Sequence, residues 1–216
     1  GWVAELADAY RTRLGDGTVG LVFSAWASEI AADAFAHVHC GYGAAMALHD
    51  VLDGSDSSVY QLIPGDPHPV STVRILMVLE MCRQTYGDGP WERTRATWMT
   101  KHPVERCPRE VRGLVEECIR LLPRAVQLTL ATTYRAFGNR PLTSVIDPRR
   151  VSPQSLEQLR RESGASAFTS GYYTFNEAIR LLALTSYDAT EGGSKLMNAL
   201  QQQESWMLRL GMQRAA

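Results

Sequence analysis

The chain has 216 residues, 45% hydrophobic and 21% charged, which is enough apolar material for one sizeable core or two small lobes and too much for a disordered chain. Its 22 Lys and Arg against 23 Asp and Glu leave a formal net charge of −1, without the basic surplus expected of a partner for nucleic acid or an anionic membrane surface. No run reaches the roughly 18 apolar residues of a membrane span; the longest candidate, 19–36, is interrupted by Ser24, Ser28, Glu29 and Asp33.

In chain order the periodicity predicts helices almost throughout. Trp2, Leu6, Tyr10 and Leu14 mark a first helix, stopped by the turn residues Gly15, Asp16 and Gly17. A second helix is expected from about Val19 to Val38. Cys40-Gly-Tyr-Gly43 breaks it, and a short helix continues to Leu52. Gly, Asp, Ser and Pro residues make 53–69 a long loop of the kind that carries function. Val70 to Tyr86 reads as a strong helix, and a short one through Trp91 and Trp98 ends at His102-Pro103. A long segment follows from Pro108 to Phe137, with Pro123 expected to kink or split it.

Residues 139–152, with Pro141 and Pro148, are the best candidate for a linker, dividing a core of 1–138 from a C-terminal extension of 153–216. Three further helices are expected, at 153–162, 172–189 and 194–210, the first opened by Ser152-Pro153 as N-cap and first helical residue. β-Branched alternation is too scarce for a sheet, so the class is all-α, an irregular multi-helix bundle. Cys40, Cys82, Cys107 and Cys118 show neither disulfide-framework nor zinc-knuckle spacing, and no secretory signal pattern opens the chain. Both point to reduced thiols and a cytoplasmic setting.

The chemistry concentrates in two places. Glu29, Asp33 and His37 stand at i, i+4 and i+8 of one helix, among Ile30, Ala31, Ala32, Ala34, Phe35 and Ala36. Carboxylates in so apolar a helix must be paired, hydrogen-bonded or bound to a metal. They could equally face a solvent groove or pair with an arginine such as Arg74. His68-Pro69 then opens the next helix, with Arg74 six residues on; on the residues alone, His68 could be an exposed helix-start residue and Arg74 a structural ion pair.

Glu29-x-x-x-Asp33 followed by His68-Pro-x-x-x-x-Arg74 resembles gluzincin zinc metallopeptidases of the CAAX-prenyl-protease and bacterial heat-shock membrane-protease group, over about residues 20–85. The resemblance implies a metallopeptidase-like helical core in which Glu29 is a zinc ligand and Asp33 an outer carboxylate orienting a histidine. It further implies that His68 and Arg74 steady the substrate carbonyl or the oxyanion. The family's His-Glu-x-x-His, which supplies two ligands and the general base, is absent; His37 and His39 have the wrong spacing, although His37 is a candidate for reaching a metal held by Glu29 and Asp33. Zinc is therefore expected only if an upstream segment or a partner chain supplies the histidine pair. The substrate would then be a peptide or protein, cleaved by a metal-activated water. The alternative is a catalytically inactive helical protein-interaction module built on the same fold.

Overall fold

The computed structural model describes residues 1–14, 17–190 and 192–214. Among them are thirteen α-helices, a few 3₁₀ turns and no strand. They are α1 (Trp2–Arg13), α2 (Thr18–Ala25), α3 (Ala27–Cys40), α4 (Tyr42–Leu52), α5 (Asp56–Val59), α6 (Ser71–Tyr86) and α7 (Pro90–Lys101). The remainder are α8 (Arg109–Ala131), α9 (Leu142–Val145), α10 (Pro153–Ser163), α11 (Gly171–Asn176), α12 (Ala178–Ala189) and α13 (Gly193–Arg214). The all-α expectation holds. Gly15 and Asp16, expected to stop the first helix, lie outside the described residues.

α6 is the hub, because its apolar residues are not confined to one stripe. From Thr72 to Cys82 only Arg74 escapes full burial, and the helix packs against α3, α4, α7 and α8. Around it a large core gathers Tyr10, Phe23, Trp26, Ile30, Trp91, Trp98 and Leu122. A second cluster joins Val151, Leu156, Leu159, Leu181, Leu184 and Trp206. Residues 139–152 touch both, since Leu142 is buried in the first and Val151 in the second. The two clusters also meet directly where α12 lies on α3 and α4, with the rings of Tyr42 and Tyr187 at 6.5 Å.

Three local outcomes differ from the periodicity. The helix expected over 19–38 is two helices, α2 and α3, bent by 63° at Trp26. No Gly or Pro marks that break. The Trp26 indole at the corner is buried, edge-on to Phe23 three residues earlier at 5.7 Å between centroids. No single helix among the described residues is long and apolar enough to cross a membrane.

Conversely, Pro123 does not split α8. It forfeits one backbone bond in a 23-residue helix whose Leu122, Ala125 and Val126 are buried, and the Gln84 side chain donates to its carbonyl oxygen at 2.9 Å. Downstream, α11 and α12 are separated at Glu177, where one helix was expected. Ser152 caps α10 as its sequence signature requires, its hydroxyl accepting from the Ser155 N–H at 3.2 Å.

Gly41, between α3 and α4, has φ +57°, and a Cβ there would stand 2.8 Å from the Val151 carbonyl oxygen. Only glycine fits both the backbone and the space.

Candidate functional site

α3 and α6 cross so that Asp33 faces Arg74. The guanidinium donates through Nε to Asp33 Oδ2 at 2.7 Å and through Nη2 to Oδ1 at 2.8 Å, a bidentate pair. The same Nη2 lies 3.1 Å from Glu29 Oε2. Arg74 and Asp33 side chains keep only 13% and 12% of their surface in water. Burial acts against the arginine charge, but the bonds to Asp33 and then Glu29 outweigh it and raise its pKa above the ordinary value.

His68 reaches the cluster from the connection between α5 and α6. Its Nε2 is 3.6 Å from Glu29 Oε2, and its Nδ1 is 2.5 Å from Asp66 Oδ1. The same Asp66 oxygen accepts from the His68 backbone N–H at 2.9 Å, closing a local turn around Pro67. These bonds, the backbone one first, pull the Asp66 carboxyl below its usual pKa. Four of the five candidates therefore come together: Glu29, Asp33, His68 and Arg74. Asp66 is the member that sequence reasoning missed. The available signal was Asp-Pro-His, an aspartate two residues before a histidine in a proline turn.

His37 does not join them. A step of eight residues exceeds two helical turns by about 80°, so its side chain rotates off the Glu29 face and into the core. Its Nε2 is 3.0 Å from Thr85 Oγ1 and its Nδ1 3.9 Å from Cys82 Sγ. Burial alone lowers its pKa from 6.5 to about 4. The folded state thus refuses a proton that the unfolded state takes up between those values. Stability is therefore intact above pH 6.5 and falls as the pH drops towards 4, by about 1.4 kcal/mol per pH unit and on the order of 3 kcal/mol in all. Urea titrations at successive pH values check this, and His37→Gln is expected to flatten the slope between pH 6.5 and 5, above the main carboxylate range.

A second acidic cluster pins the start of the connection that carries His68. The buried His102 places Nε2 3.0 Å from Asp53 Oδ1 and Nδ1 3.0 Å from Asp56 Oδ1, while Tyr60 Oη donates to its carbonyl oxygen at 2.6 Å. Lys101 adds a 2.6 Å bond to the other Asp53 oxygen, the main cause of that carboxyl's lowered pKa. Both ends of 53–69 are thereby tied down.

Zinc requires three converging protein donors. The described residues contain no group of three His, Cys, Asp or Glu side chains that could hold a metal. Asp33 spends both oxygens on Arg74 and His68 turns Nδ1 to Asp66 Oδ1, while the contacts of Glu29 with Arg74 and His68 all fall on Oε2. The residues present do not fit zinc by themselves.

Beside Asp33 an open groove of about 320 Å³ runs between α3, α4 and α6. Across the chain, the four cysteines are free thiols, three of them buried. No family model, curated protein or solved structure matches the chain.

Proposed function

We propose that this chain carries the substrate-side portion of a zinc-metallopeptidase-like hydrolase, completed by a segment bearing His-Glu-x-x-His. The observation that supports it is Glu29. Its carboxylate sits at the edge of an otherwise closed ion cluster, steered through one oxygen by Arg74 and His68, with 26% of the side chain in water. A structural ion pair needs only Asp33; a second carboxylate one turn away, oriented and reachable, is what a ligand for an incoming metal requires.

In this reading Glu29 would be one zinc ligand beside the supplied histidines, and the metal, once held, would supply an activated water. The chain's own residues orient and stabilise. Arg74 fixes Asp33 and the Glu29 carboxylate, which departs from the histidine-orienting role expected of Asp33. His68, held through its Nδ1–H by Asp66 and 57% exposed, would donate from Nε2 to a substrate carbonyl in its imidazolium form. The free thiols accord with a reducing, cytoplasmic setting.

The test is metal content of the full natural polypeptide by elemental mass spectrometry. One zinc per chain is expected, with Glu29→Gln binding at least about tenfold more weakly, as loss of one of three protein ligands implies. Absence of stoichiometric zinc, or an unaffected variant, refutes the reading.

A second reading, the inactive interaction module, draws on the bidentate Arg74–Asp33 pair, which is complete without any metal. It requires zinc content independent of Glu29. Peptide hydrolysis lost in Glu29→Gln would exclude it.

A further inference from the structure

His102 is buried between two carboxylates. It keeps only 2% of its surface exposed, with Nδ1 3.0 Å from Asp56 Oδ1 and Nε2 3.0 Å from Asp53 Oδ1. An ionised carboxylate can only accept, so both contacts are hydrogen bonds only while both ring nitrogens carry protons. A neutral imidazole has one N–H. It then turns a bare lone pair on the second carboxylate, and a ring so buried has little access to water that could replace the lost bond.

The surrounding groups decide which side gives. From α4 come Asp53 and His49, the latter 3.2 Å from Asp50; from α7 comes Lys101, 2.6 Å from the other Asp53 oxygen. The 3₁₀ turn Val104–Arg106 brings Arg106 to 3.7 Å from Asp56 Oδ2. Tyr60, with Glu105 and Cys107 in its field, holds the His102 carbonyl oxygen and not the ring. Asp53 thus keeps a close cation whatever His102 does, and its backbone N–H is fixed to the His49 carbonyl oxygen at 2.9 Å. Asp56 has only the more distant Arg106. It opens α5, a single turn of four residues with no side-chain cap, far below the length at which a helix holds without tertiary bonds. The softer partner is α5.

We propose that His102 is a proton-operated clasp on the connection 53–69. With both ring protons it holds Asp53 and Asp56 together and keeps α5 packed on α6; with one it lets Asp56 and α5 come away, so the start of the connection that carries His68 loosens as the pH rises. The side chains of Val59 and Tyr60 are buried and keep the far end of α5 seated. Neither zinc nor a peptide enters this device, so it stands apart from both functional readings.

Amide exchange and imidazole NMR of the whole chain test it, over a series from about pH 5 to about pH 9 that brackets ordinary imidazole titration. The N–H groups of Ser58, Val59 and Tyr60, bonded to the Ser55 and Asp56 carbonyl oxygens at 2.9–3.1 Å, report on α5. Their protection factors, corrected for the intrinsic pH dependence of exchange, are expected to fall at least about tenfold in the step in which the His102 ring loses a proton, as loss of one charge-assisted hydrogen bond implies. Amides of α6 and α7 should keep theirs. The sign separates this step from the effect of His37, whose burial weakens the fold towards low pH. Asp56→Asn and Asp53→Asn each supply an amide that can donate to the bare nitrogen, so each alone should hold α5 across the series and abolish the step. A His102 ring that keeps both protons throughout, a proton loss that leaves the three amides unchanged, a fall shared equally by α6 and α7, or a step that survives in an Asn variant would overturn the proposal.

Discussion

Replacing Arg74 with methionine is expected to cost roughly 3 kcal/mol of unfolding free energy, the lower end of the range for breaking a buried ion pair. The loss comes less from the attraction removed than from what stays behind. Asp33 keeps only 12% of its side-chain surface in water and would lose both of its bonds, while Glu29 would lose its 3.1 Å partner. Urea unfolding read by tryptophan fluorescence measures the cost. Adding Asp33→Asn to Arg74→Met should recover part of it, because the stranded charge is then gone. A single variant as stable as the parent would show that the cluster is solvated in the folded state, contrary to the burial described above.

Gly43→Val is expected to destabilise by roughly 2–3 kcal/mol through overpacking. A Cβ at Gly43 would stand 2.5 Å from the Ser186 Cβ, with the Ser186 backbone behind it at 3.4 Å. The neighbour cannot swing aside as a long side chain would, so α12 must shift off α4. The effect should be regional. Amide exchange is expected to rise in α12 and in the cluster around Leu181, Leu184 and Trp206, while α6 and α8 keep their protection. Uniform loss across the chain would instead mean that the two clusters unfold as one unit.

The sequence made the local chemistry legible and left the tertiary corners hidden. Ser152-Pro153 starts a helix through bonds within four residues, so its outcome could be read directly. The bend at Trp26 could not, because no Gly or Pro marks it and Phe23 and Trp26 stand at ordinary helical spacing. Pro123 illustrates the reverse, a strong local breaker overruled by burial on both sides of it and by a side chain arriving from α6. In the site, Glu29 and Asp33 were visible from spacing, and the Asp33–Arg74 pairing stood among the alternatives. Asp66 was missed although its signal was local, an aspartate two residues before His68 in a proline turn; what the sequence did not show is that this turn lies beside Glu29. His37 was misplaced because four-residue steps share a face for one turn but drift away over two.

The connection 53–69 is held at its start by His102 with Asp53 and Asp56 and at its end by Asp66 with His68, while Val59 and Tyr60 are buried between. Past Tyr60 the chain surfaces, with Gln61, Ile63, Pro64 and Gly65 all exposed, and a Cβ placed on Gly65 would meet nothing within 4 Å. Those few residues are where this protein could be lengthened or labelled near His68, with the bond from the Asp66 N–H to the Ile63 carbonyl, 3.1 Å, as the contact that an insertion there has to keep.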